Sequence, residues 1–121
     1  MSFEYPLNYY QFFVSFNMGD YYECHDLLEE VWLEDRSNHF IKGLLQLSVA
    51  HYHYSYGNIK GARSMFESAD TYLSKYSGKH WGISIIGVRD HIHDCLNIIP
   101  QTRPAGELPE LPVLYLNIEE E

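Results

Sequence analysis

Two glycine-then-cap steps, Gly19-Asp20 and Gly57-Asn58, stand 38 positions apart and each separates two apolar stripes of helical period. A glycine ends a helix because it takes the left-handed conformation at no steric cost. An Asp or Asn directly after it offers a side-chain oxygen to the free amides of the next helix. The only regular element compatible with this punctuation is helix, tight turn, helix, stated twice. In the same frame Cys24 meets Ala62, Leu27 meets Met65 and Leu28 meets Phe66, while Phe16 meets Tyr54 just before the turn.

The fold class is therefore all-α, a compact bundle of about five helices in one domain spanning 1–121. The first helix is expected over 6–18, with Tyr9, Phe12, Phe13 and Phe16 at the i, i+3, i+4, i+7 spacing of a single face. The second covers about 21–33 and buries Cys24, Leu27, Leu28 and Val31. The third, 39–56, is apolar around most of its circumference, as a central helix is. Its one narrow polar stripe is Lys42, Gln46 and His53, flanked by the small residues Gly43 and Ala50. The fourth begins after Asn58 and carries Ala62, Met65, Phe66, Ala69, Tyr72, Leu73 and Tyr76 inward, with Arg63, Glu67, Asp70 and Ser74 outward. After a Ser77-Gly78 break anchored by Trp81, a fifth helix over 83–99 turns Ile85, Val88, Ile92, Cys95, Leu96 and Ile99 to the core. The paired hairpins resemble those of tetratricopeptide proteins, whose repeat is about 34 residues. Two copies are too few for a solenoid, so the fifth helix and an extended tail from 100 to 121 close the core. Pro104, Pro109 and Pro112 keep that tail extended, and its leucines dock it.

Charge narrows the partners. Eight Lys and Arg face seventeen Asp and Glu, a net −9, and no Lys or Arg precedes Arg36 while eight acidic residues do. Nucleic acid needs clustered cations, and so do anionic membrane surfaces, so both are disfavoured. A cation or a basic partner is the complement. Eleven tyrosines imply either a wet-edged core or a sticky surface, and the latter would suit a protein partner or a homo-oligomer. The amino-terminal residues lack the basic region of a signal peptide, and no apolar run approaches about 20 residues, so a cytoplasmic location is expected. Cys24 and Cys95 read as small core residues.

The sharpest constellation is His25-x-x-x-Glu29-x-x-Trp32. Positions i and i+4 set an imidazole beside a carboxylate on one helical face, where they can hold a divalent metal or poise the histidine as a base. With the second and third helices antiparallel, His53 and Gln46 converge on that pair. The expected ligands are His25, Glu29 and His53, with Gln46 and Trp32 behind them and Glu23 and Asp26 at the acidic margin. Two imidazoles, a carboxylate and an amide suit Zn, Mn, Fe or Ni. The competing reading is a structural polar network in a non-catalytic interaction module, with His25 bonded to Glu29 and Gln46 to His53. His51 and His53 point about 160° apart on a regular helix and do not share an ion. Asp90, His93 and Asp94 share the outer face of the fifth helix, where solvation is expected. No Gly-rich phosphate loop or nucleophile motif occurs, so the sequence specifies no reaction and no substrate.

The run Phe16-Asn17-x-Gly19-x-Tyr21-x-Glu23-x-His25-Asp26-x-x-Glu29-x-x-Trp32 resembles the signature of the domain of unknown function 309 family. The resemblance continues through Gly43-Leu44-Leu45-Gln46-Leu47, His53 and Gly57-Asn58-x-x-Gly61-Ala62, about two-thirds of the chain. It implies a small α-helical protein of bacterial or archaeal type without an assigned activity. It also implies metal binding by the H-x-x-x-E-x-x-W/Y motif, here His25, Glu29 and Trp32. Asp26 stands where many members carry Glu, and Ser48 where alanine is usual.

Overall fold

The computed structural model describes residues 4–119. Five helices follow one another: α1 Leu7–Asn17, α2 Tyr21–Glu34, α3 His39–Ser55, α4 Ile59–Leu73 and α5 Ile85–Ile98. Both glycine steps close as expected. At the first, Gly19 (φ 79°) donates to Phe16 O and Asp20 N to Ser15 O; at the second, Gly57 (φ 76°) donates to Tyr54 O and Asn58 N to His53 O. This paired 5→2 and 6→1 bonding satisfies the last carbonyls of α1 and α3 while reversing the chain. The caps that follow are also in place, with Asp20 accepting from Glu23 N and Asn58 from Gly61 N.

α3 is the central element, burying Phe40, Ile41, Leu44, Leu45, Leu47 and Ala50. The aromatic face of α1 packs on it through Tyr9 and Phe40, and the α2 stripe of Cys24, Leu28 and Val31 is buried with them. α4 packs close against it at Gly43, which has no side chain to hold it off: a β-carbon there would stand 2.9 Å from Leu73 Cγ.

The linker before α5 differs from its expected form. Residues Lys79–His80 and Ile83–Ser84 pair as a short antiparallel hairpin, so α5 starts at Ile85, later than periodicity implies. Both turn residues are left-handed, Trp81 at φ 48° and Gly82 at φ 77°. For tryptophan that costs energy, on the order of 1 kcal/mol. Its surroundings offset the cost: Trp81 stacks on Tyr5 at 5.1 Å, meets Tyr9 edge-on at 5.2 Å, and its carbonyl accepts from Tyr9 Oη at 2.8 Å. α4 likewise ends at Leu73, short of Tyr76, whose hydroxyl accepts from Phe40 N at the start of α3.

The tail docks. Asn17 donates to Leu116 O at 2.7 Å and accepts from Leu116 N at 2.8 Å, a two-bond clip that seats the buried Leu116 beside the end of α1. Arg103 reaches Gly57 O at 2.9 Å, and Tyr54 donates to Pro109 O.

Two expectations for α4 are corrected. Arg63 does not face away: its Nη1 donates to Leu96 O and Ile99 O, both at 2.9 Å, and so satisfies the end of α5. Asp70 is also turned inward, accepting from Arg89 Nε at 2.8 Å and meeting His93 Nε2 at 3.0 Å. Charge at a helix end and a carboxylate between two basic groups outweighed the polar character that suggested solvent. His93 is thus paired across the interhelical groove, not left with Asp90 and Asp94. Burial raises the Asp70 carboxyl, but the Arg89 and His93 hydrogen bonds prevail and hold it below its usual range.

Candidate functional site

The α2–α3 face carries the motif read from the sequence. His25 Nε2 lies 3.1 Å from Glu29 Oε2, and His25 Nδ1 lies 3.4 Å from Asp26 Oδ1. One helical turn on, Trp32 packs under α3, with Lys42 Nζ 4.3 Å above its ring and Arg36 at 5.7 Å on the same indole. Lys42 precedes Gln46 by one turn, so Trp32 and Glu29 run alongside Lys42 and Gln46 on antiparallel helices. Two polar atoms here are buried without a hydrogen-bond partner, the donor Trp32 Nε1 and the acceptor Gln46 Oε1. A buried orphan costs about 1–3 kcal/mol, so each calls for a partner, an acceptor at Trp32 Nε1 and a donor at Gln46 Oε1.

His53 lies one helical turn beyond Val49 on the same stripe, and its Nδ1 is 3.1 Å from Asn58 Nδ2. Glu23 is exposed in the first turn of α2. His25 and Glu29 therefore form an imidazole–carboxylate pair half open to water, with side-chain exposures of 38% and 45%, while His53 is engaged with Asn58 at the end of α3. Their nitrogen and oxygen fit two positions around a divalent ion.

A second group of ligating side chains was not anticipated. Among the described residues, His51, His91 and Cys95 bring one ligand atom each within 4.8 Å of one another, and all three are buried. His51 Nε2 lies 3.0 Å from His91 Nε2, which is 3.5 Å from Cys95 Sγ. His51 is caged by Tyr21, stacked on it at 4.8 Å, and by the edges of Phe66 at 5.1 Å and Phe16 at 5.8 Å. Burial, reinforced by His91, pulls the His51 pKa down to about 3, and burial also lowers His91. Both rings are thus neutral near pH 7. Burial, with a smaller push from Asp94, raises the Cys95 thiol to about 12. The sequence signal was there: His91 lies three residues after Val88 and four before Cys95, on the apolar stripe of α5.

A cleft of about 930 Å³ lies elsewhere, between the start of α1, the hairpin and the tail, lined by Tyr10, Trp81 and Ile118 among others. No helix among the described residues is long and apolar enough to cross a membrane.

Residues 9–65 match the model of a domain of unknown function, DUF309. His25, Glu29, Trp32, Gln46, His51 and His53 fall inside that span; His91 and Cys95 fall beyond it. An uncharacterized protein YpuF of Bacillus subtilis (strain 168) is 34% identical over 91 residues, covering 72% of this chain and 50% of that protein. An uncharacterized protein of Aquifex aeolicus (strain VF5) is 25% identical over 100 residues, covering 80% of this chain and 29% of that one. The chain thus spans about half the length of the first relative and under a third of the second. No solved structure matches it.

Proposed function

From the premise that this chain belongs to the DUF309 family, we propose that its α2–α3 face binds a divalent metal ion together with a small oxygen ligand. The observations that support this reading are the His25–Glu29 pair and two buried, unpartnered atoms carried on the same two helices, Trp32 Nε1 and Gln46 Oε1. His25 Nε2 and Glu29 Oε2 are the ion's first two donors, and recruiting His53 as a third requires it to leave Asn58 and move toward the pair. An ion needs further ligands, and a bound water, hydroxide or carboxylate fits the remaining demands. Its oxygen accepts from Trp32 N–H, and a water proton reaches Gln46 Oε1. Glu23 and Asp26 add negative charge at the margin, in a stretch without a Lys or Arg before Arg36. The reading assigns binding and orientation to these residues and no reaction.

Manganese tests it, since a hard ion prefers oxygen and imidazole donors to thiolate. Titration of the protein with Mn2+, followed by the loss of the free-ion paramagnetic resonance signal, is expected to show one equivalent bound. Glu29→Gln and His25→Ala are expected to abolish binding while keeping the helical circular dichroism. A wild type that leaves Mn2+ free, or variants that bind it equally well, would overturn the reading.

A second reading rests on a different observation. Tyr22, 60% exposed, packs on Tyr52 at 5.8 Å, and Tyr52 packs on Tyr56, 73% exposed, at 4.9 Å. Three rings grouped on the surface are the kind of amphipathic patch that protein partners use. In this reading the protein is a helical interaction module, and Tyr56→Ser with Tyr22→Ser weakens self-association or partner capture without touching Mn2+ binding.

A further inference from the structure

We infer that His51, His91 and Cys95 form a second, buried site for a thiophilic transition-metal ion, Zn2+ above others, clamping α3 to α5. The site shares no residue with the α2–α3 face, so it stands or falls separately.

The first reason is a conflict of valence at one atom. His91 Nε2 is approached by His51 Nε2 at 3.0 Å and by Cys95 Sγ at 3.5 Å. An imidazole nitrogen has either one hydrogen to give or one lone pair to share. It cannot satisfy both neighbours, and the apolar cage of Phe16, Tyr21 and Phe66 around His51 offers little else. Three ligand atoms converge on one point where hydrogen bonding serves only two, whereas an ion at that point serves all three.

The second reason is distance. Zinc bonds of about 2.0–2.1 Å to nitrogen and 2.3 Å to sulfur put tetrahedral ligand atoms about 3.3 Å apart for two nitrogens and about 3.6 Å for nitrogen and sulfur. The observed 3.0 and 3.5 Å need shifts of a few tenths of an ångström. The remaining His51–Cys95 separation is within 4.8 Å and closes by side-chain rotation. His91 and Cys95 are one turn apart on α5, the spacing at which a helix chelates. A donor set of two imidazoles and one thiolate selects zinc, cobalt or copper over magnesium, calcium or manganese. A tetrahedral ion then has one position left for water or a small anion.

Binding is balanced by protons. The Cys95 thiol proton leaves to solvent, and the ring proton between the two Nε2 atoms moves to Nδ1 of its own imidazole. One thiolate leaves a single positive charge in the cluster, with Asp94 one residue away on a chain of net charge −9.

Cobalt is the probe, because a cobalt–thiolate bond gives a near-ultraviolet charge-transfer band that His25 and Glu29 cannot produce. The reduced, metal-stripped 121-residue chain titrated with Co2+ is expected to develop that band with an endpoint at one equivalent, and Zn2+ is expected to displace it. The chain has two cysteines, so Cys24→Ala leaves Cys95 as the sole source of a thiolate band. The band is expected unchanged in Cys24→Ala and in His25→Ala, and lost in Cys95→Ser and His91→Gln. Should the last two fail to fold, Cys24→Ala alone still decides. A wild type without the band, a band that vanishes in Cys24→Ala, or one that vanishes in a folded His25→Ala would overturn the inference.

Discussion

Replacing Gly43 by alanine tests how tightly α3 and α4 are joined. Mid-helix Gly→Ala normally stabilises by about 1 kcal/mol through backbone entropy. Here the new methyl would sit 2.9 Å from Leu73 Cγ, 3.0 Å from Leu73 Cδ2 and 3.3 Å from Tyr72 Cβ. Carbon atoms prefer about 3.5–4.0 Å, and Leu73 is fully buried with nowhere to retreat. Overpacking of this kind costs about 1–3 kcal/mol. The propensity gain offsets part of that, so Gly43→Ala should lose about 1 kcal/mol net, reversing the usual sign. Leu73→Ala alone should cost about 2–5 kcal/mol for the cavity it opens. In the double variant both Leu73 atoms that obstruct the methyl are gone. The two losses should then fall short of additivity by about 1–3 kcal/mol, as the methyl partly fills the cavity and recovers its helix propensity. Urea unfolding of the four proteins by far-ultraviolet circular dichroism, with equal m-values, measures the coupling. Additivity within about 0.5 kcal/mol would refute the close approach of the two helices.

Other consequences concern single side chains. Arg63→Met removes two hydrogen bonds to the last carbonyls of α5 and should destabilise by about 1–3 kcal/mol, read as a lower urea midpoint; an unchanged midpoint refutes the capping role. Asn17→Leu breaks both halves of the tail clip, so limited proteolysis should cut within 100–119 well before the helices, and equal resistance would count against docking through Leu116. His25→Ala should change stability by no more than about 0.5 kcal/mol, since an exposed i, i+4 pair contributes little; a larger loss would favour a structural network over a ligand site. For metal-free protein, burial and then His91 depress the His51 pKa to about 3, against about 6.5 unfolded. A depressed folded pKa means stability is complete above pH 6.5 and declines as pH falls toward 3, by about 1 kcal/mol per pH unit from this group. The difference in urea midpoint between wild type and His51→Gln should narrow from pH 7 to pH 5, and a constant difference would refute buried neutral imidazole.

The fold was legible because its controlling signals are local. Gly19-Asp20 and Gly57-Asn58 each encode a turn by backbone conformation and capping chemistry within three residues, and every apolar stripe lies within one helix. The hairpin at 79–84 was not legible, because its turn starts with Trp81, a residue that enters left-handed backbone only when held there. What holds it is Tyr5 and Tyr9, more than seventy positions away in the chain. The same reason hid Arg63 and Asp70. A polar residue at an outward-reading helical position looks solvated until a neighbouring helix brings it carbonyl ends or an opposite charge, and α5 brings both.

The two candidate sites divide along the same line. His25, Glu29 and Trp32 were readable because i, i+4 spacing on one helix is enough to make them neighbours, and their 3.1 Å pair follows from it. Gln46 and His53 depend on how two helices meet, and in the structure His53 is engaged with Asn58 at the end of α3. The buried cluster needed more: α3 and α5 lie forty positions apart at His51 and His91, and no local rule connects them. Polar residues on otherwise apolar stripes are the residual signal, since helical period places His51 on the buried side of α3 with Leu44 and Leu47. That geometry also explains why His51 and His53 serve different sites. They diverge by about 160° around the helix, so α3 presents Gln46 and His53 toward one side and His51 toward α5. The matched family span, 9–65, contains all the motif residues of the first site but only one donor of the second. Binding at the proposed second site therefore depends on α5, which supplies two of its three donors, His91 and Cys95.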